Sequence, residues 1–125
     1  MECLRLLVAD DSEENRQLIK AYCKDTKFSL DLAENGRQAF EKFKNKKFDL
    51  VLMDLQMPTM NGYEALSAIR EWELKEGRQN VPVLALTAFA LKEEAEKCLT
   101  AGFVAHVTKP IRRDDLLKTI KRYAA

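Results

Sequence analysis

Residues 4–15 read LRLLVADDSEEN, and this stretch joins an apolar run directly to a pair of acids. The apolar residues 6–9 are typical of a buried β-strand. Asp10 and Asp11 follow at once, although two adjacent carboxylates repel each other and each is more stable in water. The stretch therefore predicts a core strand with a charged carboxyl end, and the reason for that charge has to lie elsewhere in the chain.

The same pattern of a strand-like run followed by a helical segment recurs along the chain. Runs of β-branched, aromatic or continuous apolar residues predict five strands, at 4–9, 28–33, 49–54, 81–87 and 103–108. Apolar residues at helical spacing mark the segments that follow: Leu18, Ile19 and Tyr22; Ala39, Phe40 and Phe43; Leu66, Ile69 and Leu74; Ala95, Cys98 and Leu99; Leu116, Leu117 and Ile120.

Strands that alternate with helices predict an α/β fold with a parallel sheet and right-handed crossovers. The continuous apolar runs 50–53 and 83–86 fit strands that are covered on both faces. No segment has the composition of a linker, so we expect a single domain over residues 1–125.

Composition places the 125-residue chain among globular proteins, with 46% hydrophobic and 33% charged residues. Its net charge of +1 creates no strong field, so neither nucleic acid nor a membrane surface is expected as a partner. Cys3, Cys23 and Cys98 are too few for a disulfide framework and predict reduced thiols in a cytoplasmic protein. Acids appear by position 10, and no apolar run approaches the ~20 residues of a membrane helix, so no signal peptide or membrane anchor is expected.

Five polar residues stand at the carboxyl ends of predicted strands: Asp10, Asp11, Asp54, Thr87 and Lys109. In open parallel sheets this edge binds ligands. If the first and third strands are neighbours, three carboxylates meet there, and two unit charges about 4 Å apart repel by about 4 kcal/mol at an effective dielectric of about 20. Either some of these acids stay protonated or a cation lies among them, and a hard divalent ion with oxygen ligands is the natural partner. Mg²⁺ fits best, because it takes only one or two carboxylates and keeps waters for a phosphate to replace.

Lys109 and Thr87 add an ammonium and a hydroxyl to the same edge, which suits a phosphoryl group. A carboxylate in such a pocket can act as a nucleophile and form an aspartyl-phosphate. Each residue alone has an ordinary explanation, because strand-end aspartates are usually turn or cap residues and threonine favours strands. The ordered set across five βα units is what indicates a phosphoryl site.

Four segments together resemble the receiver domain of two-component response regulators: VADD at 8–11, VLMDLQMPTMNG at 51–62, LTA at 86–88 and TKP at 108–110. The resemblance covers the whole chain. It implies a flavodoxin-like doubly wound three-layer sandwich, in which a five-stranded parallel sheet of order 2-1-3-4-5 is flanked by five helices. The segment AIREWELKEGRQNVPVLALTA at 68–88 resembles receivers attached to hybrid histidine kinases. The chain is therefore expected to be either a stand-alone regulator or such a module.

The resemblance also implies phosphorelay signal transduction. Asp54 is then the phosphoacceptor, which takes a phosphoryl group from the phosphohistidine of a histidine kinase or from a phosphotransfer domain. The reaction requires Mg²⁺, and the receiver catalyses both its own phosphorylation and slow hydrolysis. The implied site comprises the Mg²⁺ ligands Asp11, Asp54 and the backbone carbonyl of Gln56, Asp10 acting through water, Lys109 on the phosphoryl oxygens, and Thr87 as the switch hydroxyl.

Two further expectations follow from the same resemblance. The side chains of Gln56 and Phe89 are expected to tune hydrolysis by shaping the access of water. The surface of the fourth helix, fifth strand and fifth helix is expected to bind a downstream protein or an output domain. The sequence does not identify the kinase, the stimulus or the output.

His106 departs from the family pattern, which commonly has Tyr or Phe three residues before the lysine. In the family that ring packs inward or outward with activation. Two interpretations stay open: a half-exposed histidine on a late strand, or a rotamer switch that also responds to pH.

Two other functions compete with that of a phosphoacceptor. A hydrolase of the haloacid dehalogenase type also uses an aspartate nucleophile and Mg²⁺, but it needs a second acid two residues later, where this chain has Gln56. A pseudo-receiver is a pure binding module on the same fold, and such modules usually lose pocket acids that are all present here. A histidine kinase is not expected without a nucleotide-binding glycine box, and a transcription factor is not expected without residues for a DNA-binding domain.

Overall fold

Strands and helices alternate through the described part of this computed structural model, which comprises residues 3–88 and 91–124. The strands are β1 Leu4–Ala9, β2 Phe28–Ala33, β3 Leu50–Asp54, β4 Val83–Thr87 and β5 Ala105–Thr108. The helices are α1 Glu13–Tyr22, α2 Gly36–Asn45, α3 Gly62–Lys75, α4 Lys92–Ala101 and α5 Arg113–Ala124. None of the helices in these residues is long and apolar enough to cross a bilayer.

All five strands are parallel and lie in the order β2-β1-β3-β4-β5, which confirms the predicted sheet. The register pairs Ala9 with Met53, and Asp54 with Leu86. The carboxyl ends of neighbouring strands therefore line up along one edge. The direction of the strand order reverses at β1 and β3, where ligands bind in sheets of this kind.

Side chains of the sheet alternate between two apolar layers. On β1, Leu7 and Ala9 join a cluster with α2 and α3, whereas Leu6 and Val8 join a cluster with α1 and α5. Strands β3 and β4 are buried at every position, as their continuous apolar runs predict. Helices thus cover both faces of the sheet, which confirms the flavodoxin-like three-layer sandwich with five helices.

Three strands begin later than the sequence predicts. Val81 donates its N–H to Glu73 Oε2 at 2.8 Å, and Pro82 has no N–H to donate, so β4 begins after the proline. Phe103 donates its N–H to the carbonyl of Cys98 at 3.1 Å and thereby closes the end of α4 before β5 begins. Strand β3 starts one residue late, a difference typical of strand ends.

Two of the apolar residues that mark the helices lie outside the core, although the three that mark α5 are buried. Leu74 of α3 is 83% exposed and Leu99 of α4 is 57% exposed. The buried face of α3 passes through Ile69 and Glu73, which are one turn apart, and Leu74 lies about 100° further round the helix. The same offset separates Leu99 from the buried Cys98.

Glu73, the residue before Leu74, lies on the buried face of α3 and is only 1% exposed. Its Oε1 accepts a hydrogen bond from Arg70 Nη1 at 2.8 Å, and its Oε2 accepts one from the N–H of Val81 at 2.8 Å. Arg70 Nη1 also donates to the carbonyl of Val81 at 2.8 Å. This closed set of contacts ties the last turn of α3 to the segment that enters β4.

The cysteines of the chain are free thiols, with Cys3 exposed and Cys23 and Cys98 buried. Burial raises the pKa of Cys23 to about 11, so this thiol stays protonated at neutral pH. The buried thiols act as small apolar side chains in the two core layers.

Candidate functional site

Three aspartates meet where β1 and β3 end. Asp10 and Asp11 follow β1, and Asp54 is the last residue of β3. Because these strands are neighbours, carboxylate oxygens of all three residues lie within 4.8 Å of one another. Asp10 is 0% and Asp54 is 4% exposed, whereas Asp11 is open to solvent. The fold thus brings together the three acids that the sequence places at strand ends.

Hydrogen bonds hold the two buried aspartates but leave oxygens available. Asp10 Oδ1 accepts from the N–H of Ser12 at 2.9 Å, and Asp54 Oδ1 accepts from the N–H of Gln56 at 3.2 Å. Asp10 Oδ2 is buried and has no hydrogen-bond partner among the described residues. A buried carboxylate oxygen that accepts no hydrogen bond depends on nearby positive charge for its stability. Together with two neighbouring carboxylates, it suits a hard divalent cation that prefers oxygen ligands.

Lys109 brings a positive charge to the three aspartates. Its Nζ donates to Asp54 Oδ2 at 3.1 Å and lies 3.3 Å from Asp10 Oδ2. Its backbone N–H donates to the carbonyl of Thr87 at 2.7 Å, which anchors the lysine to the end of β4. The lysine therefore bridges the two buried acids, Asp10 and Asp54.

The charge balance at this edge still favours an added cation. Burial raises the pKa of Asp54 to about 6, and the charge of Asp10 adds to this effect, while Lys109 and the N–H of Gln56 oppose it. Burial lowers the pKa of Lys109, but the charges of Asp10 and Asp54 outweigh burial and raise it above its ordinary value. Lys109 is thus charged at neutral pH, and one lysine does not neutralise three carboxylates.

A cavity of about 450 Å³ opens above the strand ends. Its lining residues are Asp11, Asp54, Leu55, Gln56, Asn61, Tyr63, Leu86, Thr87, Ala88, Glu94, Lys97 and Lys109. Thr87 is buried at the end of β4, and Gln56 is exposed beside Asp54. Phe89, which the sequence assigned to water access, lies outside the described residues. The cavity therefore collects the predicted site residues, with Asp10 buried against Lys109.

The loop after β3 positions Asp54 against the start of α3. Asn61 accepts a hydrogen bond from the N–H of Glu64 at 2.9 Å, and Glu64 Oε1 accepts one from the N–H of Asn61 at 3.0 Å, which forms a capping box. Gly62 donates its N–H to the carbonyl of Leu55 at 3.1 Å. A Cβ at Gly62 would overlap the carbonyl of Asp54, so glycine allows α3 to begin directly against the end of β3.

Sequence reasoning missed three residues of the cavity: Tyr63 of α3, and Glu94 and Lys97 of α4. Tyr63 directly follows the Asn61-Gly62 turn, but nothing in its spacing indicates chemistry. Glu94 and Lys97 stand among several other charged residues of α4 and have the pattern of an ordinary solvent-exposed face. Only the packing of α4 beside the strand ends distinguishes them.

His106 lies in β5 and lines a different groove from the aspartates. This groove also includes Thr108 of β5 and Asp115, Lys118 and Arg122 of α5. The side chain is half-buried, which agrees with the first interpretation of a half-exposed histidine on a late strand. The second interpretation, a switch that responds to pH, stays a prediction.

The switch interpretation predicts that His106→Tyr abolishes a several-fold change in partner affinity between about pH 6 and pH 8. His106 shares its groove with the charged side chains Asp115, Lys118 and Arg122, whereas tyrosine stays neutral across this range. The measurement is the dissociation constant of the phosphorylated wild type and of phosphorylated His106→Tyr for one downstream protein or output domain at each pH. Identical pH profiles for the two proteins would reject the switch.

The fold and the acidic pocket define a doubly wound α/β signalling domain with a site suited to a divalent cation and a phosphoryl group. The chain belongs to the response regulator receiver domain family, whose model matches residues 6–121. It is therefore a receiver domain of phosphorelay signal transduction, as its sequence motifs predict.

The chain is similar to parts of larger sensor kinases and to receiver domains of known structure. The chain is 41% identical over 121 residues to hybrid signal transduction histidine kinase I of Dictyostelium discoideum, covering 93% of this chain and 7% of that protein. It also resembles a chain in the co-crystal structure of the Saccharomyces cerevisiae phosphotransfer protein Ypd1 and the Ssk1 receiver domain, with a TM-score of 0.92 and 30% identity. The match covers 97% of the present chain and 88% of that chain.

The receiver domain of sensor histidine kinase PA1611 from Pseudomonas aeruginosa PAO1 is similar over 98% of both chains, with TM-score 0.84 and 30% identity. That structure holds a magnesium ion coordinated in its active site cleft. Curated relatives are much longer than the present chain, which spans 7% to 14% of their length.

Family membership bears on one of the two competing functions that the sequence left open. A hydrolase of the haloacid dehalogenase type is disfavoured by the family match and by Gln56, which offers no second acid. A pseudo-receiver shares the fold, so only the chemistry of Asp54 distinguishes it from a phosphoacceptor.

Proposed function

We propose that Asp54 accepts a phosphoryl group from the phosphohistidine of a histidine kinase or of a phosphotransfer domain. The observation that carries this proposal is the contact of Asp54 Oδ2 with Lys109 Nζ at 3.1 Å, inside a cluster of three carboxylates. Asp54 has the features of a carboxylate nucleophile, because one of its oxygens contacts the ammonium of Lys109, its pKa is raised, and it lines a cavity.

Mg²⁺ is the proposed metal. Asp11, Asp54 and the backbone carbonyl of Gln56 would hold it, and Asp10 would act through a bound water. Three clustered carboxylates that share one lysine, with Asp10 Oδ2 3.3 Å from Lys109 Nζ, support a hard cation at this place. When bound, Mg²⁺ supplies positive charge to the carboxylates and to the phosphoryl oxygens.

The proposed reaction is a displacement at phosphorus. A carboxylate oxygen of Asp54 forms the new O–P bond while the P–N bond of the phosphohistidine breaks, and the imidazole leaves with the bonding electron pair. Lys109 pairs with the phosphoryl oxygens, and the Thr87 hydroxyl donates to one of them as the switch. Water later attacks the phosphorus of the aspartyl-phosphate, the O–P bond to Asp54 breaks, and inorganic phosphate leaves, so the receiver slowly hydrolyses its own modification.

The wider setting of the domain is also part of the proposal. We expect residues 1–125 to act as one cytoplasmic receiver, either alone or within a hybrid kinase. Its phosphorylated form would bind a downstream protein or output domain through α4, β5 and α5. Neither nucleic acid nor a membrane is a proposed partner of this chain, whose net charge is +1.

Incubation with phosphoramidate or acetyl phosphate and Mg²⁺ tests the proposed acceptor. Wild type is expected to gain the mass of one phosphoryl group in intact-protein mass spectrometry, and chelation of Mg²⁺ should prevent the gain. Asp54→Asn should remove labelling completely, because an amide is not a nucleophile for this reaction. Asp25→Asn, at an exposed aspartate, is the matched control and should label normally.

Absence of labelling in wild type with every donor would favour a pseudo-receiver. Labelling that persists in Asp54→Asn would assign the acceptor to another residue.

A further inference from the structure

The cavity above Asp54 extends to two charged side chains of α4. Its lining includes Glu94 and Lys97, which are about one turn apart, together with Tyr63 of α3. Neither charge belongs to the three aspartates or has a role in the reaction proposed above. Both face the space that a phosphodonor has to enter.

Tyr63 fixes the carboxylate of Glu94. The Tyr63 hydroxyl donates to Glu94 Oε1 at 3.0 Å and lies 3.6 Å from Cys98 Sγ. The tyrosine ring meets Phe103 edge-on, with 5.7 Å between ring centroids. Burial raises the pKa of Tyr63, and its contacts with Cys98 and Glu94 add to the effect, so the hydroxyl stays a donor. The negative charge of Glu94 therefore has a defined position in the cavity wall.

Lys97 is held less firmly than Glu94. Its Nζ lies 4.9 Å from the centroid of the Tyr63 ring, and its side chain is exposed, whereas Glu94 is half-buried. Solvent and salt screen an exposed charge more than a partly buried one. Of these two α4 side chains, Glu94 is thus expected to have the larger effect on a group inside the cavity.

The direction of phosphoryl transfer brings the leaving group of the donor toward the more exposed part of the cavity. In an in-line transfer the leaving group departs opposite to the attacking oxygen. Asp54, Glu94 and Lys97 line the same cavity, and Asp54 is buried, whereas Glu94 is half-buried and Lys97 is exposed. A leaving group that departs from Asp54 toward solvent would therefore enter the space that these two side chains line.

Phosphodonors differ in the charge of their leaving group. In phosphoramidate and protonated phosphohistidine, the nitrogen bonded to phosphorus belongs to a group that carries a proton and positive charge. The P–N bond breaks, the O–P bond to Asp54 forms, and ammonia or imidazole leaves with the electron pair. In an acyl phosphate the P–O bond breaks, and the carboxylate leaves as an anion.

We infer that Glu94 is a specificity-determining residue, which favours phosphodonors with a protonated nitrogen leaving group over acyl phosphates. Lys97 acts in the opposite direction, and Tyr63 is a positioning residue that holds Glu94. This inference rests on the proposed function of Asp54 and adds the chemical class of the preferred donor.

The test compares the rates at which phosphoramidate and acetyl phosphate label Asp54 in the presence of Mg²⁺ at low ionic strength. Glu94→Gln is expected to lower the ratio of the phosphoramidate rate to the acetyl phosphate rate about fivefold, as expected for unit charges roughly 8 Å apart at an effective dielectric of about 40. Lys97→Gln should raise the ratio by a smaller factor. Tyr63→Phe should change it in the same direction as Glu94→Gln.

Glu93→Gln and Lys92→Gln are matched controls, because both residues are exposed on α4 and do not line the cavity. Neither control should change the ratio. High salt should reduce the effects of Glu94→Gln and Lys97→Gln, since both are electrostatic. Opposite shifts from these two variants also separate donor selection from a general loss of folding.

A Glu94→Gln ratio equal to that of wild type, with Asp54 still labelled, overturns the inference and leaves the proposed function intact. An altered ratio that salt does not reduce overturns it as well. Failure of both donors to label wild type overturns the inference together with the proposed function.

Discussion

Replacing Glu73 with alanine is expected to destabilise the domain by about 3–5 kcal/mol, the size typical of breaking a buried ion pair. The substitution removes both acceptors that hold Arg70 Nη1 and the N–H of Val81 at 2.8 Å. Arg70 would keep its contact with the carbonyl of Val81, but its charge would lose the carboxylate that balances it. Chemical denaturation monitored by circular dichroism measures the change in the free energy of unfolding.

Glu71→Ala is the matched control for this prediction, because Glu71 is exposed on the same helix. Its effect should stay within about 0.5 kcal/mol of wild type. The loss of stability in Glu73→Gln should lie between those of Glu73→Ala and Glu71→Ala, since the amide keeps an acceptor oxygen but loses the charge. A loss below about 1 kcal/mol for Glu73→Ala would show that the contact contributes no more than an exposed pair.

Replacing Asp54 with asparagine is expected to stabilise the metal-free domain at neutral pH by about 3 kcal/mol, from about 1.4 kcal/mol for each unit of pKa change. The folded-state pKa of Asp54 is about 6, above its ordinary value of 3.8. The folded state therefore binds more protons than the unfolded state between these values, and wild type loses stability as pH rises from about 4 to 6. Asparagine stays neutral and avoids that loss.

Unfolding of both proteins in a chelator, at several pH values, measures this effect. The stability difference should be small near pH 4 and reach its full size above about pH 7. Added Mg²⁺ should stabilise wild type more than Asp54→Asn and so narrow the gap. Asp25→Asn should follow the wild-type profile. Equal stabilities of wild type and Asp54→Asn at neutral pH would contradict the charge repulsion inferred at this site.

Local sequence was sufficient to predict the strands and the edge at which the candidate site lies. Continuous apolar runs identified the strands covered on both faces, and polar residues at their ends identified the edge where ligands bind. The order of the strands required the resemblance to receivers, because strand-to-strand pairing is not encoded in the spacing of one run. Asp10, Asp11 and Asp54 lie together because that order places β1 beside β3.

Helical spacing was less informative where hydrophobicity and burial disagree. Leu74 matches an apolar pattern but lies outside the buried face, while Glu73 is buried because Arg70 and the backbone of Val81 pair with it. A pattern of apolar residues does not detect a buried charge whose partners come from another segment. The α4 residues Glu94 and Lys97 were missed for a similar reason, since their contact with the site depends on how α4 packs.

The two-sided burial of β3 also limits how this protein can evolve. One residue inserted into Leu50–Asp54 would reverse the facing of every side chain beyond it and displace Asp54 by about 3.3 Å along the strand. The loops at the opposite edge carry none of the five strand-end residues and can change length without moving them. Lineages of this domain should therefore accumulate insertions and deletions in those loops, while the length of β3 stays constant.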